Sequence, residues 1–211
     1  MSDAAREAVL GRVRAALGGG PPSAVTIPRA YRQAGAPGAG AAAADLVDRF
    51  CERVAEYRAR VHRAAASDLD AVVAALLGRG RVLVPAAPPC LPAGIGARRD
   101  EPPLAPRELD AADAVLTGCA LAIAQTGTIV LDGSAPCGRR ALTLVPDRHV
   151  CVVRADQIVR DVPDAIAALQ RRGATRRPIT LISGPSATSD IELERVEGVH
   201  GPRVLDVVVV A

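Results

Sequence analysis

The chain has 211 residues, 49% hydrophobic and 23% charged, which fits one soluble domain with a real core and excludes a disordered or fibrous protein. Every one of its 26 basic residues is arginine, so no lysine is present for a Schiff base, a pyridoxal-phosphate anchor or a P-loop. The net charge is only +3, with one Phe, two Tyr and no Trp, which leaves neither a basic stripe nor a stacking platform for nucleic acid.

Residues 2–17 read as a helix: Ser2 can cap it, Val9, Leu10, Val13 and Leu17 share a face, and glycines 18–20 stop it. Residues 18–44 are a Gly/Pro/Ala-rich connector with the apolar island IPRAY at 27–31. Residues 1–44 are therefore expected as an N-terminal arm and 45–211 as an α/β domain. Leu46, Phe50, Val54, Tyr57 and Val61 recur at spacings of three and four, which predicts a helix over 45–65. A second helix is expected at 68–77, with Ser67 and Asp70 as a capping box and Gly78 as its stop.

RVLVP at 81–85 reads as a strand and the proline-rich stretch 86–109 as loop. DAVLTG at 113–118, TIVL at 128–131, ALTLV at 141–145 and HVCVVR at 149–154 read as further strands, those over 128–153 antiparallel. A helix is predicted over 163–172, with Pro163 at its start and Gly173 beyond its end. PITLIS at 178–183 and RVLDVVVV at 203–210 are nearly unbroken aliphatic runs, as in strands buried on both faces. Helices interleave with strands, so the expected fold class is α/β: a three-layer α/β/α arrangement around a mostly parallel or mixed sheet.

The opening residues are charged and amphipathic rather than a signal peptide, and the longest aliphatic run, at 207–210, is far too short to span a membrane; a cytoplasmic location is expected. Cys51, Cys90, Cys119, Cys137 and Cys151 are widely spaced with no C-x-x-C. They read as reduced cysteines, several of them core fillers, that hold neither an iron–sulfur cluster nor zinc. No G-x-G-x-x-G follows a strand, so no cofactor is expected on this chain.

Three segments concentrate residues that a plain core does not need. QTGT at 125–128 offers Thr126, Gly127 and Thr128 before an apolar strand. SGPSATSDIE at 183–192 offers Ser183, Gly184, Ser186, Thr188, Asp190 and Glu192 at a strand's carboxyl end, where α/β sheets bind ligands. GVHGP at 198–202 sets His200 beside Gly201, just before the last strand, as an acid, a base or an anion donor. Arg139 and Arg140, in a loop after Cys137, can clamp an anion. Each feature also has a structural reading: a tight turn, a helix cap, a hydrogen-bonded turn histidine, a solvated charge. His149, heading an apolar strand, and His62, on the polar side of a helix, read as structural. The three polar segments are expected to converge at one rim of the sheet as a pocket for something negatively charged, with His200 and Asp190 as the candidate catalytic pair.

AIAQTGTIVL at 122–131, the R-R-x-L-T-L-V-P-D-x-H-V stretch at 139–150, SGPSATSDIE at 183–192 and GVHGP at 198–202 stand in one order in one chain. Together they resemble the LUD-domain family, and within it the LutC type, whose N-terminus the first helix and I-P-R-x-Y also resemble. The resemblance implies an auxiliary subunit of an L-lactate utilisation system, which oxidises L-lactate to pyruvate with two iron–sulfur partner subunits, LutA-type and LutB-type, that carry the clusters. It implies a fold similar to the ribose-phosphate isomerase, glucosamine-phosphate deaminase and CoA-transferase group, in which strand-end loops hold phosphates or acyl groups. The alternative is a free-standing enzyme for a phosphorylated sugar or an acyl-CoA-like anion; a homo-oligomer fits either. One departure stands out: Gln125 occupies the position where the family pattern A-E-T-G-T has glutamate.

Overall fold

The computed structural model describes residues 3–18, 26–35, 43–185 and 201–211. Contacts divide the chain into two units, Met1–Tyr31 and Arg32–Ala211. In the first, helix α1 (Asp3–Leu17) forms as expected and buries no side chain; Val9, Val13 and Leu17 all lie exposed.

The second unit is built on two sheets. The larger has six parallel strands in the order β1 (Arg60–Ala64), β10 (Val204–Val210), β7 (Arg148–Arg154), β4 (Ala114–Gly118), β2 (Val82–Val84), β3 (Ala97–Arg99). The smaller is mixed, in the order β8 (Ile158–Val159), β5 (Leu121–Ile123), β6 (Thr128–Leu131), β9 (Thr180–Ile182). The valine run of β10 is buried through its centre because the strand lies between β1 and β7. Alternate residues of the large sheet divide between two cores. Val82, Val84, Leu116, Val150 and Val208 pack with Val73 and Leu77 of helix α3 (Leu69–Leu77). Leu205, Val207 and Val209 face the other way, toward Phe50 and Val54 of helix α2 (Ala43–Glu56) and toward Ala122 and Ile129 of the small sheet. Helices α4 (Pro106–Asp110) and α5 (Arg140–Leu144) close a third core around Leu83, Leu109, Val115 and Leu142. Helix α6 (Val162–Arg171) covers the small sheet through Ala165 and Leu169. The α/β class and the mostly parallel sheet with helices on both faces are therefore as expected.

Several local expectations are corrected. The helix predicted to reach residue 65 stops at Glu56; the chain turns at Arg58, which takes a left-handed conformation (φ 65°), and 60–64 becomes strand β1. Val61 sits at helical spacing from Tyr57, but a five-residue ladder with β10 satisfies more backbone there than a longer helix would. His62 therefore stands on a strand. ALTLV forms α5 rather than a strand: the Thr143 hydroxyl donates to the Arg140 carbonyl (3.2 Å), closing a helical turn. Strand β6 is antiparallel to its neighbours as expected, whereas β7 leaves that group for the centre of the parallel sheet. PITLIS is not buried on both faces, because β9 is an edge strand with Leu181 64% exposed. The loop at 86–109 contains β3 and α4, and Ser67 bonds the Asp68 carboxylate (3.1 Å) instead of capping α3. Helix α6 begins as predicted, with Pro163 in its first turn and the Asp161 carboxylate accepting from the Asp164 N–H (3.1 Å).

Candidate functional site

Strands β5 and β6 form a hairpin whose tip, 124–127, is pinned to the neighbouring β8 end: the Ala124 and Gln125 amides donate to the Val159 and Arg160 carbonyls (2.8 and 3.0 Å). Gly127 (φ 60°) and Gly184 (φ 90°) take conformations that L side chains avoid. Both press on the C-terminal turn of α2 and the residue beyond it. A Cβ on Gly127 would lie 2.7 Å from the Arg53 and Val54 backbone, and one on Gly184 would lie 2.5 Å from the Tyr57 carbonyl oxygen. These glycines thus serve the close approach of a helix.

The pairing of β9 with β6 brings two of the predicted segments together. Thr128 is only 6% exposed, and its hydroxyl lies 2.7 Å from Thr126 Oγ1 and 2.7 Å from Ser183 Oγ. Three hydroxyls in a row carry three protons, and the two bonds between them use two. Among the described residues, one proton and several lone pairs of the row have no further side-chain partner. Thr128→Val is expected to cost about 1–2 kcal/mol in chemical denaturation, because both end hydroxyls lose their shared partner, while Thr128→Ser keeps most of the stability. Equal stability of the Val variant and the parent would remove the hydroxyl row as a structural unit.

Beside this row, Gln125 Oε1 accepts from Arg32 (3.4 Å), and the same guanidinium lies 3.3 Å from Asp161 Oδ2. Burial pushes the Asp161 carboxyl up, but the Asp164 N–H and the Arg160 and Arg32 guanidiniums outweigh it and hold it below the ordinary carboxylate value. A cavity of about 340 Å³ adjoins this cluster, bounded by Ala34, Leu46, Val159, Arg160 and Arg171.

The remaining candidates are placed as follows. Ser186, Thr188, Asp190, Glu192 and His200 lie outside the described residues. Gly201 sits against Leu144, 3.6 Å from where a Cβ would be, three residues before β10. Gly184 abuts Tyr57, three residues before β1, and the register pairs Arg60 with Asp206. Both therefore stand on the amino side of the large sheet. The expected carboxyl-end placement holds for β9 within the small sheet and is corrected for the large one, because β9 runs in the small sheet, antiparallel to β6. Arg139 is an anchor: it grips Asp100 through Nε–Oδ2 (2.6 Å) and NH2–Oδ1 (3.0 Å) and donates to the Leu104 carbonyl (2.6 Å). Arg140 is exposed at the start of α5.

Two buried polar clusters escaped the sequence reading. Asp206, fully buried on β10, accepts from Arg148 Nε (2.8 Å) and contacts His62 Nε2 (2.9 Å). Its signal was a single acid within an aliphatic run. On the opposite face of the sheet, the register aligns Thr117 with Cys151, and His149 Nε2 lies 2.7 Å from Thr117 Oγ1. Among the described residues no three His, Cys, Asp or Glu side chains gather to hold a metal ion, and no helix is long and apolar enough to cross a membrane.

Comparison with known proteins gives this architecture its kin. The LUD domain profile matches residues 101–210. Lactate utilization protein C of Deinococcus radiodurans is 53% identical over 170 residues, covering 79% of this chain and 80% of the relative. The protein of the same description from Geobacillus kaustophilus is 32% identical over 148 residues, 61% of each chain. The crystal structure of a DUF162 family protein from Deinococcus radiodurans superposes with a TM-score of 0.71 at 45% identity, covering 81% of this chain and 99% of that one. Profile, sequence and fold agree: the chain belongs to the LUD-domain family.

Proposed function

We propose that this chain acts in lactate utilisation, as a subunit of a cytoplasmic system that oxidises L-lactate to pyruvate. The observation that carries the proposal is the 53% identity, over four-fifths of its length, to a protein described as lactate utilization protein C. The electrons leave through iron–sulfur clusters on LutA-type and LutB-type partner subunits, and this chain contributes no cluster of its own. The site geometry supports a binding role. The Thr126–Thr128–Ser183 hydroxyls have one proton to donate, and the Arg32 guanidinium stands next to Gln125, which suits a small carboxylate. Gln125 serves there as a hydrogen-bond acceptor, a task that needs no charge.

The test is co-expression with the genomic neighbours, followed by lactate-dependent dye reduction with and without this chain. Dye reduction is expected to require the chain and to fall at least tenfold in Thr128→Val. Full activity without the chain, or no cysteine-rich partner recovered with it from lactate-grown cells, would overturn the reading.

A further inference from the structure

Helix α6 lines the cavity beside the candidate site with one of its faces. Asp164, Ala167 and Arg171 follow at spacings of three and four, so they stand in a row over about 10 Å of helix. Leu46 of α2, Val159 of β8 and Ala34 supply apolar wall, and the volume is about 340 Å³. All of these residues belong to one unit, Arg32–Ala211. A space of this size is enough for a small organic ligand.

The charges at one end of the row are already matched. Arg160 NH2 lies 3.1 Å from Asp164 Oδ2, Arg160 Nε donates to Asp161 Oδ2 (3.3 Å), and the Gly35 N–H donates to Asp164 Oδ1 (2.9 Å). The adjoining Arg32 lies 3.3 Å from Asp161. Two guanidiniums and two carboxylates therefore cancel there. Arg171 stands at the other end. It is exposed, and among the described residues its guanidinium has no hydrogen-bond or ion-pair partner. An arginine on a flat, polar surface is simply solvated. This one borders a cavity whose neighbouring side chain on α6 is Ala167 and whose facing walls are Leu46 and Val159. The cavity thus combines one uncompensated positive charge with an apolar wall.

We infer that this cavity binds an aliphatic monocarboxylate longer than lactate, with its carboxylate on the Arg171 guanidinium and its chain against Ala167, Leu46 and Val159. Guanidinium and carboxylate match in charge and pair through two parallel N–H···O bonds. That pair alone binds weakly, because water screens an exposed charge. The chain carries the affinity: each methylene it buries tightens binding by up to about fourfold. Lactate has a single methyl group and cannot use the wall. At the density of liquid water the cavity holds roughly eleven heavy atoms, which suits an acid of about six to eight carbons. A second carboxylate at the far end of such a chain would fall against Asp164, so a monoanion is preferred over a dianion.

The test is isothermal titration calorimetry of the full chain with butyrate, pentanoate and hexanoate, and with hexylammonium as the cationic control. Saturable one-to-one binding of hexanoate is expected, about tenfold tighter than butyrate, with no binding of hexylammonium. Ala167→Leu fills the cavity and is expected to weaken hexanoate at least tenfold. Arg171→Gln is expected to weaken it at least threefold, and Arg171→Lys to recover part of that loss; circular dichroism checks the fold of each variant. No saturable binding of hexanoate, equal binding of hexylammonium, no gain with chain length, or unchanged binding in both Ala167→Leu and Arg171→Gln would each overturn the inference. Binding lost in Thr128→Val but kept in Arg171→Gln would move the carboxylate to the hydroxyl row and overturn it too. The acid series on the unmutated chain decides the matter even if a variant fails to fold. It uses no lactate and no partner subunit, so its outcome is separate from that of the dye-reduction assay.

Discussion

Gly127→Ala is expected to destabilise the domain by about 3–4 kcal/mol, lowering its melting temperature by roughly 10 °C. The first part of the cost is conformational: at φ 60° an L residue loses about 1–2 kcal/mol. The second is steric. The new Cβ would lie 2.7 Å from the Arg53 carbonyl carbon and from the Val54 nitrogen, so helix α2 must shift and pull its Phe50 and Val54 off Ala122 and Ile129, at about 1–3 kcal/mol. Gly133→Ala separates the two contributions. It has φ 68° but nothing within 4 Å of its would-be Cβ, so only the conformational part, about 1 kcal/mol, is expected there. Equal losses in denaturant titrations of the two variants would show that the helix is not seated on the hairpin tip as described.

Arg148→Met is expected to cost about 3 kcal/mol, because it leaves the fully buried Asp206 carboxylate with His62 as its remaining side-chain partner. The charge, rather than the lost packing, carries this loss. Adding Asp206→Val to Arg148→Met should therefore restore most of the stability, since valine continues the run of β10 and the half-exposed His62 turns to water. Guanidinium melts of the two variants decide the matter. A double variant no more stable than the single one would refute the account.

The fold was legible where a hydrophobic run has one interpretation. RVLDVVVV has no polar alternate long enough for a helix face, and it became the strand with two parallel neighbours. Legibility failed where two periods coincide. Val61 suits both a helix after Tyr57 and a strand beside β10, and only the long-range ladder decides between them. ALTLV has strand propensity throughout, yet no strand is there to pair with it, and the Thr143 hydroxyl closes a turn instead. In the site, the hydroxyls at 126, 128 and 183 were singled out and do meet, because the edge strand β9 pairs with β6 in the register that sets Ile182 against Ile129. Their glycines sit among candidate ligand residues in the sequence, whereas what approaches them is the end of helix α2 and Tyr57 beyond it, about 70 residues before Gly127 and about 130 before Gly184, which leaves no local trace. The Thr117–His149–Cys151 stripe was invisible because strand neighbours meet only in space; each residue alone reads as core filler.

The place of β10 between β1 and β7 also governs the order of events on the ribosome. Arg60 finds its partner Asp206 only after nearly all the intervening chain has been synthesised. Until then β1 has no neighbour in its sheet, and the apolar face of α2 has no finished surface to rest on. Such high contact order makes folding slow and leaves a sticky nascent intermediate. Chaperone demand during translation should be high, and synonymous codons that slow elongation before β10 would lengthen the exposure rather than help.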